Sequence, residues 1–537
     1  MSQRQSLGKG NFMKLKPQEI VAEYRKGSEF KASLGNKGLF EQAKINERFY
    51  IGDQWHGARC GNDRPLVRHN VIKRIGDYKI AQVLSRPLSV EFSAEGVPYT
   101  AVDKTDISLQ KVPDNAEINR ILTAFGEYFN STAERVKLPL LNERILKNSY
   151  ISGTSVLYTF WDSSVPTGLY ADNSKTVMIK GDISSQVLDI RNVVFGDPYC
   201  DEVQNQPYII ISRMAETEEV LREARINGAG IDTLKTIEES SADGKVEVFT
   251  KLYKSRIPDG TNIVKCIKVT SNAIVRREYT TGLRLYPLAV FHWECKNSLA
   301  YGESEITYLI PNQIAINRMI TANVWSAMTT GMPIMVVNGD TVTDKITNEP
   351  GQIIKVFGSN DDVAGAVNYV TPPNVTKDFD SSINTLIENT MTQSGANEVA
   401  LGDSRADNAA ALAAMRDAAL TPLQIIKNRF YVFTEEVARI WADFWVACYG
   451  KRSLKINSGK GAEYITFDSS RYRNLVLNTR VDVSNATVYS DSEQINILLQ
   501  LFEKGIIDKK QLLERMPEGS VINKKTLLTE VTTDDGI

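Results

Sequence analysis

The strongest constraint on the fold is an out-and-back pattern in the second half of the chain. An apolar helical period over residues 303–332 is followed by an extended insert to residue 373 and by a second helical period over residues 376–394. A polar loop over residues 400–408 and an alanine-rich, then aromatic, helix to about residue 449 complete it. Two amphipathic helices around a small insert predict a rod with a tip. Such a rod suits a protein that crosses a wall.

The first rod helix carries one stripe that is apolar except for a single amide. Its positions step mostly by three and four, and Gln313 is the polar member. Pro311 lies inside the pattern, so we expect a kink or a new helix start there. From residue 311 to residue 330 a straight helix is ~30 Å long at ~1.5 Å per residue.

The insert between the helices is predicted to be a weak-cored tip. Strand-like runs cover residues 334–337, 352–357 and 366–370, and turn-forming residues separate them. So few apolar side chains hardly make a core of their own, so we expect the tip to need neighbours. This is the first indication of an oligomer.

The N-terminal half is predicted to be α+β, with helices first and a sheet-rich part after them. The helical period over residues 17–50 breaks at Gly27 and again around residues 35–38. After Gly153 the period changes from 3.6 to 2, which predicts strands with one helix, over residues 216–225, among them. Strand periodicity returns after Gly450, and short helices close the chain.

Composition excludes several classes of function. The 63 Lys and Arg residues nearly balance the 65 Asp and Glu residues, which disfavours a protein that grips nucleic-acid phosphates, although a channel for sliding DNA stays open. Five scattered cysteines and three histidines offer little material for a disulfide framework, a zinc site or a Ser-His-Asp triad. No apolar run reaches the ~18 residues of a membrane span, and the first residues lack a secretory h-region, so we expect synthesis in a cytoplasm.

Three motifs admit a sharper interpretation beside a plain one. Acidic residues alternate over residues 402–408 as in a calcium loop, but Arg405 stands where an oxygen ligand belongs, which leaves a solvated connecting loop as the plain interpretation. The Gly-Lys turns at residues 8–10 and 458–461 lack the spacing of a triphosphate loop. Aromatic residues over 430–445 have helical spacing, which favours core packing over base stacking.

A set of short motifs in consistent order resembles the portal proteins of tailed double-stranded DNA bacteriophages. Two lie in the N-terminal part, over residues 49–55 and 70–75. The others are Gly196-Asp197-Pro198, the run over residues 287–293, Tyr301-Gly302-Glu303-Ser304-Glu305-Ile306, residues 309–317, and the closing segment from Gly505 to Pro517. Each motif alone is weak, whereas their order together with the rod pattern is fairly specific and covers nearly the whole chain.

The resemblance implies a portal fold that is α+β and assembled as a ring, usually of twelve subunits. It assigns residues 1–302 to a mixed α/β wing, 303–332 and 374–398 to the two stem helices, and 333–373 to a small clip. Residues 399–408 become the tunnel loop, 409–490 a long kinked helix with returning wing strands, and 491–537 a short helical crown.

The resemblance also implies the sites and partners. The tunnel loop facing DNA comprises Gly402, Asp403, Ser404, Arg405, Ala406, Asp407 and Asn408. The clip turns that dock the terminase or the adaptor comprise Asn338, Gly339, Asp340, Ser359, Asn360, Asp361 and Asp362. No catalytic residue, metal or cofactor is implied, and the chain is expected not to be an enzyme.

As the portal vertex of a virion, assembled in the host bacterial cytoplasm, the ring would pass double-stranded DNA during packaging and ejection. Its expected partners are further copies of itself, the large terminase, the major capsid and scaffolding proteins and the head-tail adaptor, with no membrane.

Two other classes of function stay open at this stage. A cytoplasmic nucleic-acid-processing enzyme would need carboxylates or basic residues clustered around a cleft, and the sequence shows none at diagnostic spacing. A scaffold or adhesin-like binding protein would leave the helix-tip-helix pattern unexplained.

Overall fold

The structure is a computed structural model, and it shows a mixed α+β chain with several small antiparallel sheets. The residues that it describes are 16–58, 65–85, 88–94, 115–170, 178–256, 260–330, 334–340, 342, 353, 355–358, 366–370, 376–396, 421–458, 461–468, 477–482, 491–516, 521, 524 and 527.

The helices and strands of the described residues are numbered in chain order. The helices are α1 Pro17–Ser33, α2 Gly38–Ile51, α3 Val71–Val83, α4 Asn115–Arg135, α5 Leu138–Ser152, α6 Thr217–Ile226, α7 Ile231–Glu239, α8 Glu305–Thr330, α9 Thr376–Gln393, α10 Gln424–Cys448, α11 Asp491–Glu503 and α12 Lys509–Arg515. The strands are β1 Ser89–Ala94, β2 Thr154–Tyr170, β3 Met178–Asp189, β4 Val193–Phe195, β5 Tyr208–Glu216, β6 Lys245–Arg256, β7 Asn262–Val269, β8 Ile274–Thr280, β9 Leu288–His292, β10 Ile334–Val337, β11 Val367–Val370, β12 Lys451–Ser458, β13 Gly461–Asp468 and β14 Leu477–Asp482.

The chain divides into two compact units. Unit 1 comprises Met1–Ala43, Lys79–Glu305 and Ser404–Ile537, and unit 2 comprises Lys44–Tyr78 and Ile306–Asp403. Unit 2 therefore joins the predicted stem and clip to an N-terminal segment that the sequence division had placed with the wing.

A five-stranded antiparallel sheet in unit 1, ordered β4-β5-β6-β7-β8, has a helix layer on each face. Ile20 and Val21 of α1 pack in one cluster with Phe249 of β6. Val248, the preceding residue of β6, packs with α6 and α7 in a second cluster. Because successive side chains of a strand point to opposite faces, α1 and the α6–α7 pair cover opposite sides of this sheet.

The expected helix break at Gly27 is wrong, and the packing of α1 explains why. A Cβ added at Gly27 would lie 2.1 Å from Cγ1 of Val194 in β4. The glycine therefore serves the close approach of α1 to the sheet and does not end the helix, which continues from Pro17 to Ser33. The second expected break is confirmed, because α1 ends at Ser33 and α2 begins at Gly38.

The second core of unit 1 is aromatic and centres on α10. Trp441 and Trp445 are fully buried, and their rings lie 5.0 Å from Phe129 and 5.2 Å from Phe125 of α4. Around them lie the pairs β1–β14 and β12–β13 and the sheet β3-β2-β9. The interpretation of the α10 aromatics as core side chains is thereby confirmed.

Unit 2 contains the two helices and the insert of the out-and-back pattern, whereas the aromatic helix α10 that completes the pattern belongs to unit 1. Helix α8 is assigned as one α-helix through Pro311, with no new start there. Strands β10 and β11 pair antiparallel, with Ile334 opposite Val370. In the region of the third expected strand, residues 352–357, the described residues show an isolated bridge between Val342 and Val356.

Among the described residues, no helix is long and apolar enough to span a membrane.

Candidate functional site

The two long helices of unit 2 are joined side by side in an antiparallel hairpin. The Asn312 side-chain amide donates to the Thr390 hydroxyl at 3.2 Å, and that of Asn323 donates to the Asp380 carboxylate at 2.6 Å. In an antiparallel hairpin, paired residues lie at equal distances along the chain on either side of one central position. That position is residue 351 or just after it for both helix pairs, and residue 352 for the Ile334–Val370 pair of β10 and β11. One antiparallel register therefore runs from the helices into the strands.

The turn after β10 is exposed and internally bonded. Asn338 donates its backbone N–H to the Ala366 carbonyl at 2.9 Å, and its side-chain oxygen accepts from the Asp340 N–H at 3.1 Å. Asn338, Gly339 and Asp340 are all exposed. The predicted docking turn is thus presented to solvent at the end of a strand.

Three apolar side chains of the insert between α8 and α9 are exposed. Val336 is 50% exposed, Ile353 83% and Phe357 66%. A two-stranded sheet is marginally stable in water, and these side chains leave apolar surface uncovered in the single chain. The expectation that the tip needs neighbours stays a prediction, and this exposure supports it.

Helix α8 carries a ladder of polar side chains that holds an extended segment of the chain. Gln313, Asn317 and Thr321 are spaced by four residues, so they lie on one side of the helix. The segment facing them is 65–72. Thr321 accepts from the Val67 N–H at 3.2 Å, Asn317 from that of His69 at 3.1 Å, and Gln313 from that of Val71 at 3.0 Å.

The two spacings match, which is why the ladder works. Two extended residues advance ~6.6 Å at ~3.3 Å each. Four helical residues advance ~6 Å at ~1.5 Å each. Every second backbone N–H of the segment therefore meets the next ladder side chain, with the segment running antiparallel to α8.

Two of the ladder side chains, Gln313 and Asn317, are buried and hydrogen-bonded to each other. Gln313 is 1% exposed and Asn317 is 2% exposed. The Gln313 amide donates to the His69 carbonyl at 2.6 Å and to the Asn317 side-chain oxygen at 3.0 Å. Asn317 in turn donates to the side-chain oxygen of Gln54 at 2.5 Å. These amides use both their donors and their acceptors, as buried polar groups must.

Glu305, the first residue of α8, belongs to unit 1 and forms a buried ion pair within that unit. Glu305 accepts from the Lys79 ammonium at 2.5 Å and from the Trp293 indole N–H at 3.0 Å. Ser304, directly before the helix, donates its hydroxyl to the Tyr150 carbonyl at 2.5 Å. Burial, together with the charge of Glu305, raises the pKa of the neighbouring carboxyl group of Glu294.

A histidine in the same part of unit 1 stays neutral near pH 7. Burial, together with the charge of Arg429, lowers the pKa of His292 to about 4. Its Nδ1 lies 3.0 Å from the Thr154 hydroxyl, and that hydroxyl oxygen accepts from the Gly302 N–H at 2.7 Å. This arrangement joins the two family-like segments around residues 290 and 302, and it is structural in character.

The predicted site residues fall into two groups. Asn338, Gly339 and Asp340 are brought together in the exposed turn. The other predicted docking residues, Ser359, Asn360, Asp361 and Asp362, and the whole tunnel loop from Gly402 to Asn408 lie outside the described residues. Their roles stay predictions.

The ladder is what the sequence interpretation missed. Gln313 stood out as the one amide in an apolar stripe, but Asn317 and Thr321 were not grouped with it. The signal was present in the spacing: an amide, a second amide and a hydroxyl recur at intervals of four along the helix. Side chains in such a row face one partner, which here is a strand-like segment.

Within the described part of the chain, no group of three or more His, Cys, Asp or Glu side chains is placed to hold a metal ion. Comparison of the sequence with protein-family models found no match, and a search of curated proteins found none either.

Proposed function

We propose that the chain is a portal protein, a ring-forming subunit of the channel through which double-stranded DNA enters and leaves a bacteriophage capsid. In this proposal the chain has no enzymatic activity, cofactor or metal. It acts by assembling around the DNA and by presenting docking surfaces.

The observation that carries the proposal is the single antiparallel register of the hairpin. Helices α8 and α9 run side by side, and the same register continues into β10 and β11 at the tip. A rod of this kind, ~39 Å long over the 26 residues of α8 at ~1.5 Å each, has the length of a wall-crossing element.

The charge on the rod supports passage of DNA without firm grip. Arg318 is the one charged residue between residues 306 and 330. A protein that neutralises many phosphates binds DNA tightly and in a salt-dependent way, and twelve such subunits would hold it. The nearly uncharged helix α8, the net acidic helix α9 and the mixed-sign tunnel loop, with Asp403, Arg405 and Asp407, suit sliding.

The exposed tip supports the assignment of the docking partners. Its turn at Asn338, Gly339 and Asp340 faces solvent, and three apolar side chains of the insert, Val336, Ile353 and Phe357, are exposed. In the proposed ring the tip is the clip, which receives the large terminase during packaging and the head-tail adaptor afterwards. Neighbouring subunits would cover part of its apolar surface.

Electron microscopy of the purified full chain tests the ring. Rings with a central hole are expected in negative-stain images. A stable monomer that forms no ring, even when the chain is expressed with capsid and scaffolding proteins, would overturn the proposal.

A charge change in the tunnel loop tests the channel. The double variant Asp403→Lys and Asp407→Lys makes the loop basic, and we expect DNA packaging to slow because each added phosphate contact must be broken as DNA moves. The matched control, Asp232→Lys with Glu239→Lys, makes the same charge change at exposed positions of α7. Equal packaging rates in both variants would count against a DNA-facing loop.

A further inference from the structure

A buried arginine lies where β12 meets β2 and β3 of unit 1. Arg452, the second residue of β12, is 6% exposed. The Cζ atom of its guanidinium lies 4.2 Å from the ring centroid of Tyr449 and 5.5 Å from that of Trp161. Its Nη2 donates to the Gly181 carbonyl at 3.1 Å. Two aromatic rings and one carbonyl therefore hold this charged group inside the protein.

Three of the five N–H groups of this guanidinium have no acceptor among the described residues. The Nε and Nη1 atoms of Arg452 are buried and unpartnered. A guanidinium carries one N–H on Nε and two on each Nη, and it stays charged in proteins. The two rings attract the charge, but they leave these N–H groups without acceptors. A buried charge of this kind is strongly destabilising unless an acceptor is supplied.

The geometry of a guanidinium leaves one complete edge of Arg452 free. Nε and Nη2 form one outer edge, Nη1 and Nη2 form the other, and each edge presents two parallel N–H groups. Nη2 has one hydrogen on each edge, and the Gly181 carbonyl takes one of them. The second hydrogen of Nη2 therefore remains beside an unpartnered Nε or Nη1. Two parallel donors on a cation are suited to bind an anion.

The neighbouring carboxylate of Asp182 is engaged by other groups. Its Oδ1 accepts from the Tyr449 hydroxyl and from the Ile183 N–H, each at 2.7 Å. Its Oδ2 pairs with Arg135 at 3.2 Å. Arg452 has no ion pair with any described carboxylate. These contacts bring two guanidinium charges and one carboxylate charge together, so one positive charge remains to be neutralised.

We propose that the free edge of Arg452 binds one small monovalent anion, such as chloride, inside unit 1. The burial of the unpartnered nitrogens restricts the ligand to a small one. A water molecule brings no charge, and it needs acceptors for its own hydrogens, which a guanidinium does not offer. An anion accepts both N–H groups and neutralises the charge as well. This site does not depend on the proposed portal function.

Chloride dependence of stability tests the site in the purified full chain. Sodium chloride replaces sodium gluconate at constant ionic strength, and urea unfolding is followed by tryptophan fluorescence. Gluconate is too large for a buried edge. Once the site is saturated, the apparent unfolding constant of wild type should fall about tenfold for each tenfold rise in chloride, as for one ligand bound by the native chain alone. An unfolding constant that does not change with chloride would overturn the proposal.

Substitutions at position 452 separate the free edge from general effects of salt. Arg452→Met keeps an unbranched side chain but removes the charge and the donors, so we expect the chloride dependence to vanish. Arg452→Lys keeps the charge without the two-donor edge, so the dependence should weaken. Lys451→Met, at the exposed preceding position, is the matched control and should retain the wild-type dependence. Equal chloride dependence in Arg452→Met and wild type would contradict the inference.

Bromide in crystals of the wild-type chain gives a direct test that needs no variant. Bromide is a close chemical substitute for chloride and has a strong anomalous signal. The anomalous difference map should show a peak within hydrogen-bond distance of the Arg452 guanidinium. A free edge that is contacted by water alone in these crystals would overturn the inference and leave the proposed function standing.

Discussion

Each of the two units is stabilised internally by a different kind of interaction. The aromatic core of unit 1 buries Trp441 and Trp445 of α10 completely. The buried core of unit 2 includes aliphatic residues such as Ile306 and Ile316, but the amides of Gln313 and Asn317 add buried hydrogen bonds to residues far away along the chain. Apolar burial is strong and without direction, whereas hydrogen bonds specify which groups must meet.

This difference teaches how a slender element obtains a defined position. A hairpin of two helices buries few side chains between them, so a large packed core cannot define its geometry. The ladder on α8 instead fixes the register of a neighbouring segment, since a shift of one residue would misalign its rungs. In unit 1, the packing of the large aromatic side chains around α10 positions that helix without a hydrogen-bond ladder.

The largest expected effect comes from emptying the aromatic core of unit 1. Trp441→Ala removes a fully buried indole that contacts Phe129 and hydrogen-bonds the Thr159 hydroxyl at 3.3 Å. We expect the free energy of unfolding to fall by about 3–5 kcal/mol, measured by urea denaturation with circular dichroism. Trp441→Phe retains much of the volume and should cost less. A loss smaller than that of the ladder variant below would break the comparison.

Removing the Gln313 side chain from the ladder should have the next largest effect. Gln313→Leu deletes four hydrogen bonds, to the Val71, Ile72 and His69 backbones and to the Asn317 side chain. Buried groups that lose partners cost roughly 1–3 kcal/mol each, with partial relaxation, so we expect about 3 kcal/mol. Hydrogen exchange at His69, Val71 and Ile72 should rise. Arg318→Ala, at an exposed position of the same helix, is the control and should change neither quantity.

A buried lysine in unit 1 sharpens the comparison, because polar contacts hold it although it lies in the unit with the aromatic core. Lys31 is fully buried and donates to the carbonyls of Ile190, Arg191 and Val193 at 3.1, 2.7 and 3.1 Å. Burial lowers its pKa to about 7 from the ordinary value of 10.5, and the charge of Asp189 opposes this shift.

Between these two values the unfolded chain binds more protons, so Lys31 makes stability rise with pH across that window. The variant Lys31→Met removes the contribution, which has a slope of up to ~1.4 kcal/mol per pH unit. Thermal unfolding from pH 7 to pH 10 should therefore show a flatter profile in the variant, while Lys26→Met, at an exposed position of α1, keeps the wild-type profile. If the stability of Lys31→Met and of wild type changed with pH in parallel, the predicted contribution of Lys31 would be contradicted.

The smallest effect on stability is expected at the tip of unit 2. Asp340→Ala changes an exposed side chain and leaves the bond from its N–H to Asn338 in place. We expect the free energy of unfolding to stay within ~0.5 kcal/mol of wild type. Binding of purified large terminase, measured by biolayer interferometry on rings, should weaken, whereas Glu239→Ala on α7 should not affect it. Unchanged binding would remove Asp340 from the docking surface.

Local elements followed well from periodicity. Helices α8, α9 and α12 and strand β10 appear close to the expected residues, because each depends on a repeat visible within a short window. Helix α7 and strand β8 were missed. The break at Gly27 was misplaced, because the demand for glycine came from Val194 in another element.

The sequence by itself determined the order of helices and strands, the α+β class, the near balance of charge and the unusual amide at position 313. Only the tertiary structure decided that this amide meets residues 69–72, more than two hundred positions earlier, and that β1 pairs with β14, with Ser89 opposite Asp482. The reason is physical: helical and strand periods are encoded by neighbours along the chain. The partner of a buried polar group or of a strand edge is selected by packing among all the elements at once.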